Sequence, residues 1–150
     1  MTFQVSNFNR KTFLYYLENL SPEQLYFIPK GFKNNIIWNI AHVLITEQML
    51  TYGLSGLELP VDNKFVKMYA KGTFPSTKTS KEEIEEVKKQ LIPATKQMQK
   101  DFQNDVFKTF KEYPTSVGII LKNINGALQF NAFHEGIHLG IILSIKKLLK

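Results

Sequence analysis

Residues 36–52 read IIWNIAHVLITEQMLTY, and the placement of their apolar side chains decides the fold. Ile36, Ile37, Trp38, Ile40, Ala41, Val43, Leu44, Ile45, Met49 and Leu50 cover most of a helical circumference, so other helices must surround this one. Asn34 or Asn35 can cap its start. Upstream, Phe13, Tyr16, Leu17 and Leu20 recur at helical spacing and predict a first helix over residues 8–20, with Ser6 as its cap. Between the two, Ser21, Pro22, Glu23 and Gln24 form a capping box with proline at the first helical position, and Pro29 and Gly31 end that short connector.

Downstream of Gly53 the chain carries Gly56, Pro60, Gly72 and Pro75 around a short helix expected over residues 63–70, capped by Asp62. A structured connection of that length between bundle helices often covers a site. Ser80 and Glu83 form a further capping box, after which Ile84, Val87, Leu91, Met98 and Phe102 mark one face of a third long helix that Pro93 should kink. Residues 104–115 read as a turn region. From about Ser116 to Lys150 a last helix rich in Ile, Leu and Phe is expected, with Lys146, Lys147 and Lys150 suiting its C-terminus. No segment shows strict apolar and polar alternation bounded by hairpin turns, and no internal repeat is present. The expectation is a single all-α domain over residues 1–150, an antiparallel four-helix bundle.

Composition narrows the function classes. A length of 150 residues with 43% hydrophobic content fits one domain with a real core. The absence of cysteine rules out disulfides, thiolate metal sites and cysteine nucleophiles, so any metal here must use nitrogen or oxygen ligands. The start, MTFQVSNFNRKTF, lacks the pattern of a secretory leader, and no apolar run reaches the roughly 18 residues of a membrane span. A cytoplasmic protein without a membrane segment is expected. The net charge of +6 invites a nucleic-acid reading, but Arg10 is the only arginine among 19 cations. The bidentate forks that read guanine and grip phosphate are nearly missing, so no specific nucleic-acid partner is expected.

All three histidines fall on expected long helices. His134 and His138 are four residues apart, so their rings project from one helical face a turn apart and can reach one ion. His42 lies on the buried second helix. A single histidine in a core is ordinarily satisfied by a carbonyl, whereas three in an apolar bundle can share one divalent metal as a common partner. The stretch HEGIH at 134–138 also matches the H-E-x-x-H pattern of zinc peptidases. Those enzymes take their third ligand downstream, and the twelve residues after His138 contain no His, Asp or Glu. The third ligand must come from upstream, where His42 is the histidine available.

The stretches WNIAH at 38–42 and HEGIHLG at 134–140, together with the connector LSPEQLYFIPKGFKNNIIW, give the chain its resemblance to a known family. It resembles the DinB-like superfamily of small helical bundles, which includes YfiT-like metal hydrolases and thiol S-transferases. The resemblance covers nearly the whole chain in helix order. It implies a metal triad of His42, His134 and His138, and it implies a homodimer. One departure stands out: many relatives carry a glutamine after the last glycine of the motif, where this chain has Ile141.

Three neutral imidazoles leave an ion's double charge unneutralised and at least one position open, which is the ligation of a catalytic site. Nitrogen ligation suits a divalent transition metal, zinc or nickel foremost, and poorly suits magnesium or calcium. The leading expectation is a metal-dependent enzyme, a thiol S-transferase or hydrolase, acting on a small-molecule substrate such as a thiol. The alternative is a non-catalytic bundle that binds a small ligand or protein partner. Asn39 and Thr46, a turn either side of His42, and Asn131, three before His134, could orient ligands. Phe130, Ile141 and Ile145 would flank the histidine pair, and Gly136 and Gly140 suit a close helix contact. Glu47 and Glu135 are the nearest carboxylates in sequence, but both are rotated away from the histidines on their helices and neither is assigned a catalytic role.

Overall fold

The computed structural model of the chain describes residues 3–149. Four long helices form the body: α1 (Gln4–Asn19), α3 (Ile36–Gln48), α5 (Lys81–Gln103) and α6 (Ile124–Lys146). Two short ones, α2 (Pro22–Tyr26) and α4 (Asn63–Tyr69), lie in the connections. α3 packs against α5 and α6, and α1 closes the other side against the same two helices. Phe13 and Leu17 of α1, Ile36, Ile40 and Leu44 of α3, Val87 and Leu91 of α5, and Ile142 and Ile145 of α6 meet in one buried cluster. Each such side chain contributes about 1.5–3 kcal/mol when fully buried, and every one lies on the apolar stripe of its helix. The architecture is the all-α bundle that the apolar girdle of residues 36–52 requires.

Local signals set most helix starts. The Ser21 hydroxyl accepts from the Gln24 N–H while the Gln24 side chain accepts from the Ser21 N–H, closing the expected capping box at α2. Asn35 caps α3 through the Trp38 N–H, and Asp62 caps α4. Ser80 caps α5 through the Glu83 N–H, but the expected box is not closed: the Glu83 carboxylate accepts from the Tyr69 hydroxyl instead of from the Ser80 N–H. α5 carries Pro93 without a break. Where α3 would end, the chain continues as a π-helical turn over Met49–Gly53, a local widening that often marks functional sites.

Three expectations require correction. Ser6 is not a cap: α1 begins at Gln4, and the Ser6 hydroxyl is buried and donates to Glu135 Oε1 at 3.2 Å. The last helix does not begin near Ser116. A short antiparallel hairpin, β1 (Tyr113–Pro114) and β2 (Ile120–Leu121), occupies that stretch, and Asn123 then caps α6 by accepting from the Gly126 N–H. Its turn is closed by Thr115 and Ile119 and uses Gly118 at φ +84°, a conformation that glycine adopts without strain. Gly136 and Gly140 are not at a close helix contact within the chain, because a side chain built at either meets nothing within 4 Å. Lys147 caps the C-terminus of α6, and Lys150 lies outside the described residues. Among the described residues no helix is long and apolar enough to cross a membrane.

Candidate metal centre

α3 and α6 run antiparallel at the site, with Asn39 opposite His138 and His42 opposite His134. This crossing brings the three histidines together. One ring nitrogen from each lies within 4.8 Å of the others, and His134 Nε2 stands 3.1 Å from His138 Nε2. Two nitrogens bound tetrahedrally to one ion at about 2.1 Å would be roughly 3.4 Å apart. The α6 pair is thus already at ligand spacing, and His42 has a short distance to close.

The surroundings fix which nitrogens are free. His42 Nδ1 lies 2.7 Å from the backbone carbonyl of Tyr69; a carbonyl can only accept, so Nδ1 carries the proton and Nε2 keeps its lone pair. Trp38 stacks on the same ring, with centroids 4.6 Å apart and planes 8° from parallel, and is itself held by a bond from its indole N–H to Thr73. The connection between α3 and α5 therefore supplies both the backbone acceptor for His42 and the anchor for Trp38. His138 Nδ1 lies 2.7 Å from Asn39 Oδ1. The Asn39 amide nitrogen already donates to the Asn35 carbonyl and to Asn34, which fixes its oxygen as the acceptor and leaves His138 Nε2 bare. His134 has a buried Nδ1 with no hydrogen-bond partner.

Counting protons exposes an excess of lone pairs. Three neutral rings carry three N–H groups, of which two are committed to Tyr69 and Asn39. The third can serve His138 Nε2 from His134, yet His134 then retains an orphaned nitrogen. Thr46 can offer His42 Nε2 only a long contact of 3.4 Å. Ring nitrogens that lie within 4.8 Å of one another with too few N–H donors among them fit a shared cation, and the orphaned His134 Nδ1 adds the cost of an unsatisfied buried polar atom, ordinarily about 1–3 kcal/mol.

Electrostatics keep the rings neutral. Burial lowers all three below the usual 6.5: His42 to about 4, His134 to about 4 with added repulsion from His42 and Arg10, and His138 to about 3 with repulsion from the other two. A histidine with a depressed folded pKa binds its proton less readily than in the unfolded chain, so its contribution is fully present above about pH 6.5 and lost as pH falls toward 4. Metal-free protein is expected to hold a constant Tm from pH 8 to 6.5 and then to lose up to a few kcal/mol per ring by pH 4. Calorimetry in chelator-treated buffers checks this; a Tm unchanged between pH 6.5 and 5 would contradict it.

Beside the triad lies a cavity of about 150 Å³. His42 and His134 form one wall, Met49, Leu50, Leu54 and Phe130 give it an apolar body, and Lys71, Tyr113, Thr115 and Ser116 line it as well. Of the flanking residues expected from sequence, Phe130 does sit against His134, its ring centroid 6.3 Å away. Ile145 and Ile141 instead belong to the main core, so the departure at Ile141 places an apolar side chain where the helix meets that core. Asn131 does not orient a histidine; its amide donates to Glu135 at 2.9 Å.

Glu47 and Glu135 belong to a second buried cluster. Both are fully buried, and both face Arg10, whose Nη2 lies 3.2 Å from Glu47 Oε1 and 2.9 Å from Glu135 Oε1. Ser6, Asn9 and Asn131 also donate to Glu135, while Thr95 and Gln48 donate to Glu47. Burial, with the neighbouring charge of Glu135, raises Glu47 against the pull of Arg10. Sequence reasoning missed this cluster. Its one signal was the singularity of Arg10 in a lysine-rich chain.

A model of the DinB superfamily matches residues 7–142. A search of curated proteins finds no match. The matched span runs from α1 to α6 and includes His42, His134 and His138, and the chain belongs to the DinB superfamily.

Proposed function

We propose that this protein is a metal-dependent enzyme that transfers a thiol to, or hydrolyses, a small molecule. The observation that carries the reading is the convergence of three neutral imidazoles, two with fixed Nδ1–H tautomers, beside a cavity that His42 and His134 line. His42, His134 and His138 would hold the ion, and the all-nitrogen donor set favours zinc or nickel. Bound there, such an ion supplies Lewis acidity, which brings water toward a pKa of about 7 and favours thiolate over thiol. The chain's own residues do the rest. Tyr69 and Asn39 orient two rings, Trp38 covers one face of His42, and the apolar wall of Leu50, Leu54 and Phe130 limits water beside the triad. Among the described residues no carboxylate joins the histidine cluster, so proton transfer would fall to Thr46, to solvent or to the substrate itself.

The test is metal content followed by turnover. Equilibrium dialysis of the full chain against zinc is expected to give one ion per chain, and chelation should abolish, and zinc restore, either conjugation of low-molecular-weight thiols to an electrophile or hydrolysis of small esters and amides. Protein that takes up no zinc, or whose activity ignores chelation, overturns the reading. The orienting role of Asn39 gives a second expectation. Asn39→Ala should weaken zinc affinity by about 10- to 100-fold, measured by competition with a chromophoric chelator. An unchanged affinity would show that the His138 ring needs no support from α3.

A further inference from the structure

The cavity beside the triad has a charge asymmetry that restricts what can enter it. Its lining contains one cation, Lys71, and no carboxylate. Among the described residues the Lys71 ammonium and the Tyr113 and Ser116 side-chain hydroxyls make no hydrogen bond or ion pair with the protein, whereas the Thr115 hydroxyl is committed to Ile119. Lys71 comes from the connection after α4, and Tyr113 and Ser116 come from the hairpin region. These three residues line the cavity from segments outside the four bundle helices, while its histidines and apolar wall come chiefly from α3, its π-helical continuation and α6. A volume of about 150 Å³ is that of a cavity known to hold a molecule of benzene size.

We propose that this cavity takes a small organic anion, whose carboxylate or similar group pairs with Lys71 and hydrogen-bonds to Tyr113 and Ser116, while its reactive end lies against His42 and His134. The apolar body between holds a segment of benzene size. The ligand class rests on the metal-centre reading above for the chemistry at the histidine end, but the anion preference rests on Lys71. A partly exposed ion pair of this kind is worth only a few-fold in affinity, and that is also the margin by which a neutral analogue, which leaves the lysine to water, is disfavoured; a second cation would be repelled.

The experiment uses the full chain loaded with cobalt(II), whose visible absorption reports ligands entering the coordination sphere. Two probes of matched length are titrated, 3-mercaptopropanoate and the neutral 3-mercaptopropanamide. The proposal expects the anion to bind about three- to tenfold more tightly, a preference that shrinks as salt rises from 50 to 500 mM. Lys71→Gln should remove the preference while the neutral thiol binds as before, and Lys71→Arg should retain it. Equal affinity for the two probes, a preference that survives Lys71→Gln, or failure of both to bind the loaded protein overturns the ligand class and leaves the metal reading standing. Failure to take up cobalt is seen before any thiol is added; it overturns the metal reading, and the proposal falls with it.

Discussion

Arg10→Ala is expected to destabilise the protein by about 3–5 kcal/mol, the usual cost of stripping the counter-ion from a buried charge. Here the loss leaves two carboxylates, Glu47 and Glu135, facing each other without a cation at the centre of the bundle. Against a total stability of about 5–15 kcal/mol for a domain of this class, such a loss approaches unfolding. The geometry gives it reach: one guanidinium on α1 ties α3 and α6, the helices that bring the histidines, at positions five residues past His42 and adjacent to His134. Replacing the whole cluster should behave differently. Arg10→Met combined with Glu47→Gln and Glu135→Gln removes all three charges at once while leaving an amide oxygen on each side chain to accept from Ser6, Asn9 and Asn131 and from Thr95 and Gln48, and is expected to cost less than the single change, since desolvation of the ions disappears with their attraction. Urea unfolding of both variants checks the pair of results. A single variant within about 1 kcal/mol of the parent would mean that water or a local shift already solvates the carboxylates.

The second large effect concerns the triad. His42→Ala, His134→Ala and His138→Ala are each expected to weaken metal binding by well over 100-fold, more than loss of an orienting partner such as Asn39. The metal-free variants should meanwhile be folded, and their stability should fall less than that of the parent between pH 6.5 and 4, because each removes one ring that resists protonation. The two readouts move in opposite senses, which separates loss of a ligand from general damage to the bundle. Zinc affinity that survives any one of these changes would leave that histidine outside the site.

Much of this was legible in the chain because the relevant signals are local. Ser21 with Gln24, Asn35, Asp62 and Ser80 announce helix starts through bonds that span three residues or fewer. The four-residue spacing of His134 and His138 places both on one face whatever the tertiary structure. The misreadings share a different cause. Ser6 looked like a cap because its type suits one, but its partner Glu135 is 129 residues away, and only packing decides such a pairing. Val117, Ile119, Ile120 and Leu121 read as part of a long apolar helix, yet Val117, Ile119 and Ile120 are at least 49% exposed and the segment turns at Gly118 behind Pro114. Composition alone could not reveal that lack of a buried face. Glu47 and Glu135 were correctly turned away from the histidines by helical geometry, but their common attachment to Arg10 joins three helices and leaves no trace in any short stretch of sequence.

Crystals of the full chain grown with one equivalent of zinc, and diffraction collected across the zinc absorption edge, test the central claim most directly. The account predicts one anomalous peak between α3 and α6, about 2.1 Å from His42 Nε2, from His138 Nε2 and from one ring nitrogen of His134. A map with no peak there, or one in which the His42 ring keeps its bond to Tyr69 while zinc binds elsewhere, would contradict it.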